Sequence, residues 1–203
     1  MRISSILAAL CIAGFAAPAS AATFGVTGDG FIATPDSVLD AADTNTQQQG
    51  FLEQTRVTLV SPLAVDGGLI AAGTVVDSYM IFLNGVDDTL IETVATWTFP
   101  RMILGTMSDE GGTLEAASTN FLGNPGVTYP GSAFDNRGLE MNGGVNDDMI
   151  SFLGSTLTLE MNVTQPGDWV RVVTAPVPLP AAGWMLIGGL AGLGFLGRKR
   201  RAA

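Results

Sequence analysis

The chain has no histidine, and of its 203 residues only one is cysteine, Cys11. Cys11 lies in the apolar N-terminal segment, and every lysine and arginine beyond Arg171 sits in the last six residues. Downstream of residue 21 there is therefore no cysteine, no histidine and one lysine, Lys199. These absences exclude disulfides, Ser-His-Asp and Cys-His catalytic sets, and the usual zinc ligands. A Ser-Lys pair is excluded from residues 22–176 as well. Positive charge is also scarce there: the segment holds all 19 acidic residues and only Arg56, Arg101, Arg137 and Arg171, a formal charge of −15. Such a surface repels nucleic acid and anionic lipid, so no nucleic-acid partner is expected. It favours divalent cations.

What is present is concentrated at the two ends. Met1-Arg2 is a short positive region, Ile3–Ala17 is apolar or small, and Pro18-Ala19-Ser20-Ala21 places small residues where a signal peptidase reads them. Residues 1–21 are expected to be a signal peptide cut between Ala21 and Ala22, with Ala19 and Ala21 as the recognised positions. At the other end three signals follow one another: Val177-Pro178-Leu179-Pro180-Ala181, an uncharged apolar stretch from Ala181 to Gly197, and the basic cluster Arg198-Lys199-Arg200-Arg201. Seventeen helical residues reach roughly 26 Å, near the lower limit for a membrane span of about 17 residues. The basic cluster stops transfer and stays in the cytoplasm. The six glycines Gly183, Gly188, Gly189, Gly192, Gly194 and Gly197 make this a weak anchor, and Gly188 and Gly192 form a small-residue pair that most simply is filler. Prolines 176, 178 and 180 cannot continue a helix and hold an extended strap outside the membrane.

These last 27 residues, 177–203, resemble the VPLPA-CTERM variant of the PEP-CTERM sorting signals. The resemblance implies processing by an exosortase, a membrane-embedded protease or transpeptidase of Gram-negative bacteria. It further implies delivery to the cell surface or extracellular matrix in organisms that make exopolysaccharide. In that reading Val177–Ala181 is the recognition motif, residues 181–197 hold it at the membrane and 198–203 form the tail. Signal peptidase, exosortase and membrane are the expected partners, with exopolysaccharide a further one. The expected route is an inner-membrane precursor facing the periplasm, then the cell surface or matrix.

Residues 22–176, about 155 in number, suit one domain with a real core. Strand patterns recur at short intervals between turn residues. Thr156–Val163 alternates, with Leu157, Leu159, Met161 and Val163 on one face; Ile91, Thr93, Ala95, Trp97 and Phe99 form the apolar face of another strand. Val75–Leu83 is apolar on both faces apart from Asp77 and Ser78 and reads as central. Further strands are expected at Phe24–Val26, Gly30–Ala33, Thr55–Val60, Met102–Met107, Met149–Leu153 and Trp169–Thr174. Leu114–Leu122 suits one short helix, and Asp36–Gln49 reads as loop. The fold class is all-β, an antiparallel β-sandwich or jelly roll. Phe121–Gly126 and Arg137-Gly138-Leu139-Glu140 resemble stretches of secreted PEP-CTERM-type β domains, and no catalytic residue carries over with them.

Acidic clusters are the only candidates for chemistry. Asp87-Asp88, after Asn84-Gly85, and Asp147-Asp148, after Asn146, gather oxygen donors in loops, as a Ca²⁺ ion requires. Solvated turns are the simpler reading, and no cofactor is otherwise expected. A glycosidase needs only two carboxylates, and Asp77 and Glu92 lie on neighbouring predicted strands. Trp97, Phe99, Tyr129, Phe134 and Trp169 are the aromatics available to a sugar, Tyr129 the best placed and Trp97 better suited to the core. The balance is a non-enzymatic surface or matrix protein; the alternative is a polysaccharide-binding or polysaccharide-active domain in the same place.

Overall fold

The computed structural model describes residues 23–40 and 44–178. It is an all-β arrangement with one short helix: β1 Gly25–Gly28, β2 Gly30–Ile32, β3 Gln48–Thr58, β4 Leu63–Val65, β5 Gly68–Ile70, β6 Val75–Leu83, β7 Ile91–Thr98, β8 Ile103–Met107, α1 Thr113–Leu122, β9 Met149–Leu153, β10 Thr156–Val163 and β11 Asp168–Thr174. A four-stranded sheet runs β1-β7-β10-β9, a five-stranded sheet β2-β3-β6-β11-β8, and β4-β5 form a small hairpin. Every pairing of strands is antiparallel except β2 with β3, which is parallel. The purely antiparallel expectation is corrected there: Asp29, between β1 and β2, turns the chain from one sheet to the other, and β2 runs beside β3 without a hairpin.

The two large sheets face each other across one apolar layer. Tyr79, Ile81 and Leu83 of β6 and Val170 and Val172 of β11 meet Ala95 and Trp97 of β7 and Leu157, Leu159, Met161 and Val163 of β10. Period-2 alternation explains β10, whose other face is exposed or half-buried. By contrast, β6 and β11 are buried nearly throughout, because the five-stranded sheet is covered on its second face too. There α1 and the β4-β5 hairpin enclose Leu59, Val65, Val76, Met107, Leu122 and Val173. A third cluster, Val38, Phe51, Met80, Phe82, Val127 and Trp169, fills the rest of that face. Val75–Leu83 is central, between β3 and β11.

Two elements depart from the expected pattern. β3 begins at Gln48, inside the stretch read as loop, and its start is held by polar contacts. Gln48 accepts from Trp97 Nε1 at 2.8 Å and donates through Nε2 to Leu159 O at 2.9 Å, a buried link between the sheets. Gly50 is required beside it, since a Cβ there would lie 2.3 Å from the Trp97 ring. The register of β3 slips twice against β6, and Arg56 has φ of 55°, so its side chains do not alternate. The hairpin β4-β5 was not among the expected strands; its three-residue strands are too short to show a period. Among the described residues no helix is long and apolar enough to cross a membrane. The expected signal peptide with its site at Ala19, Ala21 and Ala22, and the expected span at 181–197 with its basic tail, lie outside the described residues.

Candidate functional site

Two buried groups of charged side chains flank β11, and they are built differently. The first lies under α1. Gly112 is the N-cap of that helix, and Asp109, three residues before it, accepts from the first two helical amides, Thr113 N at 2.7 Å and Leu114 N at 3.1 Å. The inward face of α1 is polar, with Glu115 and Ser118 buried, and it receives Arg171 from β11. Arg171 forks onto Glu53 of β3, Nε to Oε2 at 2.7 Å and Nη2 to Oε1 at 2.8 Å. Its Nη1 donates to Glu115 O at 2.6 Å and to Ser118 Oγ at 2.7 Å, and its Nη2 lies 3.1 Å from Glu115 Oε1. Glu115 in turn pairs with Arg137, whose guanidinium lies over the Trp169 ring at 5.1 Å. Ser78 Oγ and Tyr129 Oη donate to Glu53 at 2.6 and 2.8 Å.

Two cations face two anions in this set. Burial opposes the Arg171 charge, yet Glu53, the hydrogen bonds to it and Glu115 more than offset that and hold the guanidinium pKa above its ordinary value. Burial first, and then Glu53, push the Tyr129 phenol well up. The group is closed and its charges are balanced, with Arg137 Nε the one buried polar atom of its four charged side chains that has no hydrogen-bond partner; its chemistry is structural.

The second group opens on a cleft of about 290 Å³. Glu140 and Asp148 come from the long connection between α1 and β9, and Asp168 is the first residue of β11. One carboxylate oxygen from each lies within 4.8 Å of the others. Asp148 is fixed by two backbone donors, Asn162 N to Oδ1 and Glu140 N to Oδ2, both at 2.8 Å. Asp168 is 1% exposed; its Oδ2, like Glu140 Oε1, has no hydrogen-bond donor. None of the ion pairs among the described residues reaches these three acids. Burial first, then Asp148 and Glu110, push the Glu140 carboxyl up to about 7. Burial also raises Asp148, with the backbone donors pulling it back. Burial, then the charges of Asp148, Glu140 and Asp40, carry Asp168 well above the usual carboxylate range. Asn136, Asn146, Asn162 and Gln165, whose side chains carry carboxamide oxygens, also line the cleft.

The residues singled out in the sequence are distributed as follows. Asp148 belongs to the acidic trio and Asp147 lines the same cleft, but the Asp147 carboxylate is turned to the backbone amides of Gly143 and Gly144. Asp87 and Asp88 are exposed on the β6–β7 connection, where Asp87 accepts from Thr89 N at 2.8 Å, and neither belongs to the trio. Glu140 and Asp168 were not singled out, being isolated acids 28 positions apart that only the fold joins. Asp77 and Glu92 stand on different sheets, β6 and β7, so they do not form a carboxylate pair. Asp77 is buried and accepts from Arg56 N and Val177 N, whereas Glu92 is exposed. Tyr129, the preferred sugar candidate, is half-buried: its ring packs on the third core cluster and its hydroxyl donates to Glu53. Phe134 packs on that same cluster, and Trp97, Phe99 and Trp169 are fully buried.

Of the expected sorting motif, Val177 and Pro178 are within the described residues, and Leu179, Pro180 and Ala181 are not. Val177 N donates to Asp77 Oδ2 at 3.1 Å, and Arg56 Nη1 donates to Val177 O at 3.3 Å. Thr23, Phe24, Val177 and Pro178 line one apolar cleft of about 450 Å³, so the two ends of the described domain meet there. Compared with known proteins, the chain matches no family model, no curated protein and no solved structure.

Proposed function

We propose that this is an exported, non-enzymatic β-sandwich protein of the cell surface or extracellular matrix, delivered by residues 177–203 acting as a VPLPA-CTERM sorting signal. The observation that carries this reading is the order of Val177–Ala181, an uncharged apolar stretch and Arg198–Arg201 within one short segment. The attachment of Val177 to Asp77 and Arg56 supports it. It fixes the start of the strap against the domain, so that the motif begins where the fold ends, with no linker between them. The non-enzymatic part rests on the lack of histidine and of cysteine beyond residue 21, and on the separation of Asp77 from Glu92. In this reading the glycine-rich apolar stretch holds the precursor at the inner membrane only until an exosortase acts on it.

Mass spectrometry of the C-terminus from cells with and without the exosortase tests the proposal. The expected result is loss of Arg198–Ala203 only where the exosortase is present. An intact Arg-Lys-Arg-Arg end in both strains overturns it and leaves a plain membrane anchor.

A further inference from the structure

We propose that the cluster of Glu140, Asp148 and Asp168, with Glu140 and Asp168 lining the cleft, is a binding site for one Ca²⁺ ion. Ligand oxygens of a single Ca²⁺ sit about 2.3–2.6 Å from the ion, so any two of them fall within roughly 5 Å of each other. One oxygen from each of the three carboxylates already meets that limit, at 4.8 Å. Asp168 supplies the independent observation. Its side chain is 1% exposed and lines the cleft, and its Oδ2 receives no hydrogen bond. A buried carboxylate oxygen without a donor is costly unless a proton or a cation meets it. No arginine reaches it: each of the three ion pairs among the described residues belongs to the set under α1.

The donor set selects the class of ion. The acids and carboxamides that line the cleft offer hard oxygens, the chain has no histidine, and there is no cysteine among the described residues. The amide nitrogen of Asn162 is used by Asp147 O at 2.8 Å, which fixes that side chain at the cleft wall. The wall is irregular and comes from several chain segments, which suits the flexible six- to eight-fold coordination of Ca²⁺ better than the strict octahedron of Mg²⁺. An ion here would tie the long connection bearing Glu140 and Asp148 to the first residue of β11. That connection has no regular strand or helix to hold it between Leu122 and Met149, so the ion would act as its fastening.

The site assembled by the fold differs from both acidic runs visible in the sequence. Asp87 and Asp88 take no part, and Asp147 is committed to backbone amides. The inference stands whether or not residues 177–203 are a sorting signal.

The experiment uses the full chain purified in detergent, stripped of cations and titrated with Ca²⁺ or Mg²⁺, read by thermal melting and by calorimetry. The expected result is saturable binding of one Ca²⁺, with a dissociation constant of about 10⁻⁴–10⁻³ M as in other extracellular modules. At a concentration 100 times that constant the melting midpoint should rise by roughly 5–10 °C. Asp168→Asn and Glu140→Gln should each abolish the rise, and Asp87→Asn should keep it. Should Asp168→Asn fail to fold, the half-exposed Glu140→Gln decides. No heat and no shift up to about 10 mM Ca²⁺ overturns the proposal. An undiminished shift in Glu140→Gln overturns the placement, and tighter binding of Mg²⁺ overturns the ion.

Discussion

Glu53, Glu115, Arg137 and Arg171 meet under α1 as two anions and two cations, whereas Glu140, Asp148 and Asp168 meet at the cleft as three anions. Both groups use carboxylates taken out of water at the flank of the same strand, β11. In the first, each carboxylate has an arginine, and Ser78 and Tyr129 fill the remaining lone pairs of Glu53. In the second, the only donors are backbone amides on Asp148, and Asp168 Oδ2 has none. The difference separates burial that the protein has neutralised by itself from burial that leaves the counter-charge to come from outside. The first holds α1 to the five-stranded sheet; the second is where a ligand has something to gain.

The largest expected effect comes from unbalancing the closed group. Arg171→Met leaves Glu53 buried without its arginine and Glu115 with Arg137 alone, and should lower the unfolding free energy by about 3–5 kcal/mol. Denaturant titration reads it directly, and an unchanged midpoint would mean that the network contributes nothing to stability. Tyr129→Phe removes the hydroxyl from Glu53 and from Asn124 N. It should cost about 1.5–3 kcal/mol by the same measurement.

The open group should respond with the opposite sign. In the absence of divalent cations Asp168→Asn removes one of three repelling carboxylates. The melting midpoint should rise by roughly 2–4 °C, which corresponds to about 1 kcal/mol for a domain of this size. A fall comparable to that of Arg171→Met would erase the distinction between the groups. The gentlest probe is pH. The Glu140 carboxyl titrates at about 7 in the fold against an ordinary 4.5, so between those values the folded chain holds more protons than the unfolded chain. Cation-free protein should therefore lose stability as pH rises from about 4.5 to about 7. Melting across that window should show the slope, and Glu140→Gln should reduce it, leaving the part that the raised Asp148 and Asp168 contribute.

How much of this was legible in the residues depends on how local the signal is. The strands Val75–Leu83, Met149–Leu153 and Thr156–Val163 have the bounds that their patterns predict. The helix at Thr113–Leu122 starts one residue before the predicted Leu114. In β10 the face bearing Leu157, Leu159, Met161 and Val163 is buried, as period 2 requires. The end of β3 falls in the predicted strand Thr55–Val60; its first part was hidden because it opens with glutamines and a glycine, buried by hydrogen bonds and by the Trp97 ring, with two slips of register after them. Of the site, Asp147 and Asp148 were visible as a run of acids, while Glu140 and Asp168 were single acids in unrelated segments. Of the aromatic residues read as candidates for sugar contact, Trp97, Phe99 and Trp169 fill the interior, while Tyr129 and Phe134 are half-buried and pack against the third core cluster.

The sequence by itself determined the all-β class, the central position of Val75–Leu83 and, for residues 22–176, the strongly acidic character and the lack of cysteine and histidine, because composition and two-residue periodicity need no partners to be read. Only the tertiary structure decided which acids are neutralised and which are not. Arg171 meets Glu53 across 118 positions, and Asp168 joins Glu140 and Asp148 with no ion pair to any of the three among the described residues. Charge balance inside a protein is a property of what the fold brings within a few ångströms, and no local pattern of residues encodes it.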